Sequence, residues 1–139
     1  MKFNLAALEI LHTNFRRYTM KQPTRTGIPR LIAAFENSKH GFIDIWHREE
    51  AFRLEAIGFV VSLPIAFWLS TSLAQFALLV GSIFVLMIVE ILNSAIEATV
   101  DRIGLEQHEL SRTAKDLGSL AVLFTALFPA TVWTYVILF

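Results

Sequence analysis

Glu90, Asn93, Glu97 and Asp101 punctuate the segment Glu90-Ile-Leu-Asn-Ser-Ala-Ile-Glu-Ala-Thr-Val-Asp101. At about 100° per helical residue the three carboxylates fall within roughly 40° of one another, with Asn93 and Ser94 flanking them. Ile91, Leu92, Ile96 and Val100 occupy the remainder of the helix. Such a set of oxygen donors suits Mg²⁺, which keeps several waters and bridges one or two carboxylates to substrate phosphates. One of the carboxylates could also serve as a general base. The plainer reading is that Glu97 and Asp101 are solvated at a helix end while Glu90 pairs with Arg or Lys.

A second polar group follows directly: Arg102, Glu106, Gln107, His108, Glu109, Arg112, Lys115 and Asp116. Its cations could hold the phosphates of a nucleotide beside the carboxylates, although a solvated connector has the same composition. His108 has no second histidine nearby, which argues against zinc. Glu49-Glu50-Ala-Phe-Arg53-Leu-Glu55 is a third polar group, again at the edge of an apolar run. The six glycines form neither a P-loop nor a Gly-x-Gly-x-x-Gly fingerprint. A bound nucleotide would therefore be held without either.

The elements that carry these residues are set by composition. The 139-residue chain is 55% apolar and only 17% charged, too greasy for an ordinary soluble domain and too greasy for disorder. Twelve basic and 12 acidic residues cancel, which argues against a nucleic-acid partner. With no cysteine, disulfides and thiolate chemistry are excluded. No Asp, Glu, Lys or Arg occurs from Ala56 to Val89 or from Leu117 to Phe139. A spanning helix needs about 20 apolar residues. The first run is too long for one and is broken by Ser70, Thr71, Ser72 and Gln75. The pattern predicts three spans, at 51–69, 73–100 and 116–138. A soluble bundle is disfavoured because helices apolar on every face leave no solvent side.

Basic residues fall before the first span, at its entrance (Arg53), or between the second and third, and neither the Ser70–Gln75 turn nor the C-terminus has one. The positive-inside rule then puts the N-terminus and the 101–116 segment in the cytoplasm and the C-terminus outside. Trp68, Trp133 and Tyr135 suit the outer aromatic belt and Trp46 the inner one. Glu90 lies about 25 Å along its helix from Leu73, near the inner edge of a hydrocarbon core about 30 Å thick. Carboxylates at that depth usually face protein or water and mark a functional path.

Before the spans, residues 28–50 mix Leu31, Ile32, Phe35, Phe42, Ile45 and Trp46 with Arg30, Glu36, Lys39, Asp44 and Arg48. This is the pattern of an amphipathic helix lying in the interface, with Asn37, Ser38 and Gly41 as possible interruptions. Residues 1–25 lack the long apolar stretch of a secretory signal. Phe3, Leu8, Leu11 and Phe15 could make a short surface helix there, and Pro23 to Gly27 reads as a linker.

The spacing Glu90-x-x-Asn93-Ser94-x-x-Glu97-x-x-x-Asp101 at a membrane exit resembles the signature of the small prokaryotic diacylglycerol kinases. Glu49-Glu-Ala-Phe-Arg-Leu-Glu55, Asp101-Arg-Ile-Gly, His108-Glu-Leu-Ser and Ala114-Lys-Asp-Leu-Gly-Ser119 are similar to the Gram-negative branch. The resemblance covers Thr26 to the C-terminus. It implies an all-α membrane protein, a homotrimeric bundle with one surface helix and three spans per subunit. Residues 1–25 would be an N-terminal extension and 26–139 the membrane-embedded lipid kinase domain. It implies ATP- and Mg²⁺-dependent phosphorylation of diacylglycerol to phosphatidic acid at the cytoplasmic face of the bacterial inner membrane.

By position, the resemblance makes Glu90 the base toward the lipid hydroxyl, supported by Asn93. Glu49 and Glu97 become the metal ligands. Arg30, Glu49, Glu97, Glu106, Gln107, His108, Lys115 and Asp116 become nucleotide contacts. Trp46, Ala51, Phe52, Arg53, Leu54, Glu55, Trp68, Glu90 and Ser119 become lipid contacts. The chain departs from the family at Asn37-Ser38-Lys39, where an aromatic-rich stretch is common, and at Glu50, where a small residue is usual. Register with Phe52-Arg53 favours Glu49 over Glu50 as ligand. Ala77 and Gly81 offer a small-residue face for packing between chains.

Two rival functions stand beside this. An undecaprenol kinase would keep the fold and change the acceptor. A non-enzymatic membrane subunit would use the acidic face as an ion or partner site, but no ionisable group continues from Glu90 toward the Ser70–Gln75 turn. An inactive homologue is disfavoured by the complete Glu90, Asn93 and Glu97 set.

Overall fold

The computed structural model describes residues 26–104 and 106–139, and every regular element among them is a helix. The order is α1 (Ile28–Arg48), α2 (Glu50–Leu69), α3 (Leu73–Ile103) and α4 (Glu109–Leu138). The readings for residues 1–25 lie outside the described residues. Two compact units divide at His40–Gly41. The first holds the start of α1 and the second its end together with α2, α3 and α4.

The start of α1 is set by Gly27, whose φ of +65° lies in the left-handed region that glycine enters without penalty. Its carbonyl accepts from Arg30 and Leu31 N–H at 3.1 and 3.3 Å. Pro29 falls in the first turn, where its missing N–H leaves no bond unmade. The expected interruptions at Asn37, Ser38 and Gly41 do not occur, and α1 runs through them. Ser38 Oγ donates to Ala34 O at 2.9 Å, so the hydroxyl is satisfied without opening a turn. Leu31, Ile32, Phe35 and Phe42 remain exposed, as on a helix whose apolar side meets something other than its own chain.

In the second unit, α2, α3 and α4 are each long and apolar enough to cross a membrane. A helix stands at each of the three expected spans, with shifted ends. Helix α3 continues past Val100 to Ile103, and α4 starts at Glu109, seven residues before the expected Asp116. Charge runs bound the hydrocarbon, not the helix, and these extra turns carry polar residues. The turn between α2 and α3 is closed by an N-cap at Ser72 and by the Gln75 side chain reaching back to Thr71. Ser72 Oγ accepts from Gln75 N–H at 3.2 Å, and Gln75 Oε1 accepts from Thr71 N–H at 2.7 Å.

Helix α3 is the centre of the unit and packs most extensively on α4, then on α2. The buried positions are mostly small or hydroxylated: Ser62 and Ala66 on α2, Ser82 on α3 and Gly118 on α4. Small residues let apolar helices approach where no hydrophobic drive separates protein from lipid. Ser62 and Ser82 return their hydroxyl protons to Phe59 O and Leu79 O, each at 2.7 Å. Leu79 O also accepts from Trp133 Nε1–H at 3.2 Å, which joins α3 to α4 within their apolar length. The tightest approach is lower, at Gly118: a Cβ there would collide with the Asn93 side-chain oxygen. Ala77 is exposed and nothing lies within 4 Å of a Cβ on Gly81, so neither packs closely within the single chain.

Candidate active site

Helix α3 enters the site with Glu90, which is buried at 5% exposure. One turn on, Asn93 and Ser94 are half-buried, Ser94 Oγ donating to Glu90 O at 3.0 Å. Asn93 Nδ2 donates to Glu97 Oε1 at 3.4 Å and thereby orients that carboxylate. Asn93 Oδ1 is buried against Gly118 and accepts no hydrogen bond. The predicted stripe is therefore real for Glu90, Asn93 and Glu97. Asp101 is different: it is exposed and takes an ion pair from Lys115 of α4 at 2.9 Å.

The α1–α2 elbow supplies two further acids. Glu49 is the single non-helical residue between the two helices, with extended backbone (φ −106°, ψ 113°). Its side chain makes no capping hydrogen bond, so the carboxylate is left to other duties. Glu49 is half-buried and Glu50 exposed, which agrees with the register that favours Glu49. The charges of Glu49 and Glu97 both act on Glu90. Glu55, one turn into α2, feels the charge of Glu90 in turn and leaves its Oε2 buried without a partner. Among the described residues, none of Glu49, Glu55, Glu90 or Glu97 has an ion-pair partner; the two salt bridges are Arg112–Asp116 and Lys115–Asp101.

Uncompensated carboxylates near the apolar part of a bundle are costly. A hard divalent cation answers that charge, and the donors are all oxygen. Among the described residues no three acidic or histidine side chains converge to cage an ion.

A cleft of about 610 Å³ opens between the end of α3 and the start of α4, within the range of small-molecule sites. Five of the predicted nucleotide contacts line it together: Glu106, Gln107, His108, Lys115 and Asp116. Asp101, Ser111 and Arg112, not among those predicted contacts, line it too. The signal for Arg112 was its spacing four residues before Asp116, to which it donates at 2.6 Å. His108 has a structural task as well: its Nδ1 accepts from Leu110 N–H at 3.2 Å and caps α4. In the neutral ring this puts the proton on Nε2. Arg30 is exposed in the first unit, and Glu49 and Glu97 do not line the cleft.

The proposed lipid contacts divide by exposure. Ala51, Leu54, Trp68 and Ser119 are exposed, Trp68 at 83%. Phe52 fills the elbow at 1% exposure, edge-on to Phe42 with ring centroids 5.9 Å apart. Trp46 is half-buried and stacks on the same Phe42. The Arg53 guanidinium is spent on backbone, donating from one nitrogen to Trp46 O at 2.9 Å and His47 O at 3.4 Å.

Comparison with known proteins places this geometry. The family model described as prokaryotic diacylglycerol kinase matches residues 36–137. The chain is 47% identical over 108 residues to a diacylglycerol kinase of Escherichia coli (strain K12), covering 78% of this chain and 88% of that protein. It is 45% identical over 115 residues to one from Pseudomonas aeruginosa, covering 82% and 93%. A Haemophilus influenzae diacylglycerol kinase is 37% identical over 114 residues, covering 82% and 97%. Three apolar helices, an acidic face on the second and matches of this extent lead to one assignment: the chain belongs to the prokaryotic diacylglycerol kinase family.

Proposed function

We propose that this bacterial membrane protein transfers the γ-phosphoryl group of ATP to diacylglycerol, giving phosphatidic acid, at the cytoplasmic face of the inner membrane. The observation that carries the reading is the buried Glu90, flanked by Glu49 and Glu97 without any ion-pair partner among the described residues. Residues 26–139 would form the kinase domain and residues 1–25 an extension outside it. The N-terminus would be cytoplasmic and the C-terminus periplasmic.

In this mechanism Glu90 takes the proton of the lipid hydroxyl as its oxygen bonds the γ-phosphorus. The bond to the β-phosphate oxygen breaks and ADP leaves. Phosphoryl transfer asks mainly for positioning and charge neutralisation. Glu49 and Glu97 would hold Mg²⁺, which when bound neutralises charge on the phosphate oxygens. Asn93 keeps Glu97 aimed through its Nδ2 hydrogen bond. Glu106, Gln107, His108, Lys115 and Asp116 would line the nucleotide, joined by Arg30. Ala51, Leu54, Glu55, Trp68 and Ser119 would meet the lipid, with Trp46 beside them. The unfilled sides of Ala77 and Gly81 favour an oligomer, and the family resemblance implies that it is a homotrimer.

The direct test is phosphorylation in mixed micelles with ATP and Mg²⁺, offering diacylglycerol and undecaprenol together. Phosphatidic acid as the main product is expected. Undecaprenyl phosphate would keep the mechanism and change the acceptor, and neither product would favour a non-enzymatic subunit. A second expected result concerns the metal. Glu97→Gln should raise the Mg²⁺ concentration for half-maximal rate by about 10–100-fold, since even outer partners of metal ligands carry that much affinity. An unchanged Mg²⁺ titration removes Glu97 from the ligand set.

A further inference from the structure

The elbow between α1 and α2 raises a question of construction. In the proposed site Glu49 stands beside Glu90, yet it is the one non-helical residue between α1 and α2. Glu49 N–H reaches Ile45 O at 2.9 Å and closes α1, but on the α2 side Arg53 N–H reaches Glu49 O only at 3.4 Å. Its extended backbone has no side-chain cap. The last carbonyls of α1 have lost their intrahelical donors and carry the negative end of the helix dipole.

One cation from the next helix meets them. Arg53 donates to Trp46 O and His47 O, crossing the elbow from α2 back to α1. The Trp46 bond, at 2.9 Å, is part-buried. On either side of this clamp, Phe52 is packed against Phe42, and Ile45 is the one buried residue of α1. Beyond it, Glu49 lines a cleft of about 250 Å³ with Asp44, Ile45 and Arg48 of α1 and Ile91, Ser94, Ala95 and Ala98 of α3.

We infer that Arg53 is a positioning residue: its guanidinium, held on the Trp46 and His47 carbonyls, fixes the elbow from which Glu49 meets α3 across the cleft at Ser94, whose hydroxyl bonds the Glu90 carbonyl. This rests on the proposed metal role of Glu49, and it assigns Arg53 to the site's geometry instead of to contact with lipid. Arginine suits the task because it stays charged at any working pH and presents several donors in a rigid plane.

The test compares wild type, Arg53→Gln and Arg53→Lys as purified full-length protein in detergent, with three readouts. Hydrogen exchange without nucleotide follows the Glu49–Arg53 amides. In Arg53→Gln they should exchange about tenfold faster or more, the factor that one charge-assisted hydrogen bond can carry. Mn²⁺ binding by electron paramagnetic resonance should weaken by a similar factor, and the Mg²⁺ requirement should rise with it. The KM for diacylglycerol should stay unchanged. Arg53→Lys retains a charged donor without the planar fork, so it should fall between the two. If Arg53→Gln does not fold, Arg53→Lys carries the same comparison, and wild-type exchange and Mn²⁺ affinity in it overturn the inference. Unchanged exchange with a raised KM for diacylglycerol also overturns it and returns Arg53 to the lipid. Should the wild-type protein phosphorylate no lipid, the kinase reading fails, while the exchange and Mn²⁺ readouts still decide the role of Arg53.

Discussion

Glu90→Gln will lower the rate of diacylglycerol phosphorylation by about 10²–10⁴-fold, the usual worth of a positioned general base, and will leave the protein folded. Glutamine keeps the shape and the hydrogen-bonding size of the side chain but cannot accept the hydroxyl proton. The backbone bond from Ser94 Oγ to the carbonyl of residue 90 does not depend on the side chain, so the local turn should persist. Removing a buried charge from a group of four acids also relieves repulsion from Glu49, Glu55 and Glu97. The variant should therefore melt at or above the wild-type temperature while losing turnover. Parallel thermal unfolding and initial-rate measurements check both halves. Wild-type rates would take Glu90 out of the mechanism, and a lost fold would show that its role is structural.

Gly118→Ala should disturb the site without touching a charged group. The added methyl has no room, because its position coincides with Asn93 Oδ1 and lies 3.3 Å from Asn93 Cγ. Small-to-large changes in packed positions cost about 1–3 kcal/mol. The collision is with the end of the Asn93 side chain, while Asn93 Cα at 3.9 Å is in ordinary contact, so relief comes from turning the amide. Turning the amide breaks its bond to Glu97 Oε1. The expected outcome is a lower melting temperature together with a Mg²⁺ requirement raised in the same direction as in Glu97→Gln. A variant that melts early but titrates Mg²⁺ normally would separate Asn93 from the positioning of Glu97.

These two residues also mark how far the chain could be read without coordinates. Glu90 and Glu97 announce themselves, because a charge inside an apolar run and a seven-residue return to the same helix face are properties of sequence alone. The three spans follow from the same charge map, and so does the division between a polar and an apolar end. Gly118 carries no such mark. Its importance arises where α4 crosses α3, and the crossing depends on side-chain packing that no periodicity encodes. The start of α4 at Glu109 was hidden for a related reason, since polar residues end the hydrocarbon and leave the helix free to continue. Arg53 was legible as a cation at a membrane entrance, but its partners are backbone carbonyls of the preceding helix. A sequence lists side chains, so such bonds stay invisible until the chain bends. Glu50 and Glu49 were separated in sequence only by register, and their different burial now follows from Glu49 lying at the bend itself.

The hydrogen bond from Trp133 to Leu79 has a mechanical consequence. It fastens α3 to α4 at one height, and the Asp101–Lys115 pair fastens them again at another. Between Leu79 and Asp101 the helix rises about 33 Å. The upper fastening lies where water does not compete, and the lower one is exposed and correspondingly weaker. A beam pinned at two separated points can neither spin about its long axis nor slide past its neighbour without breaking both pins. Helices α3 and α4 therefore behave as one plank that carries Glu90, Asn93 and Glu97 along with the nucleotide-sized cleft.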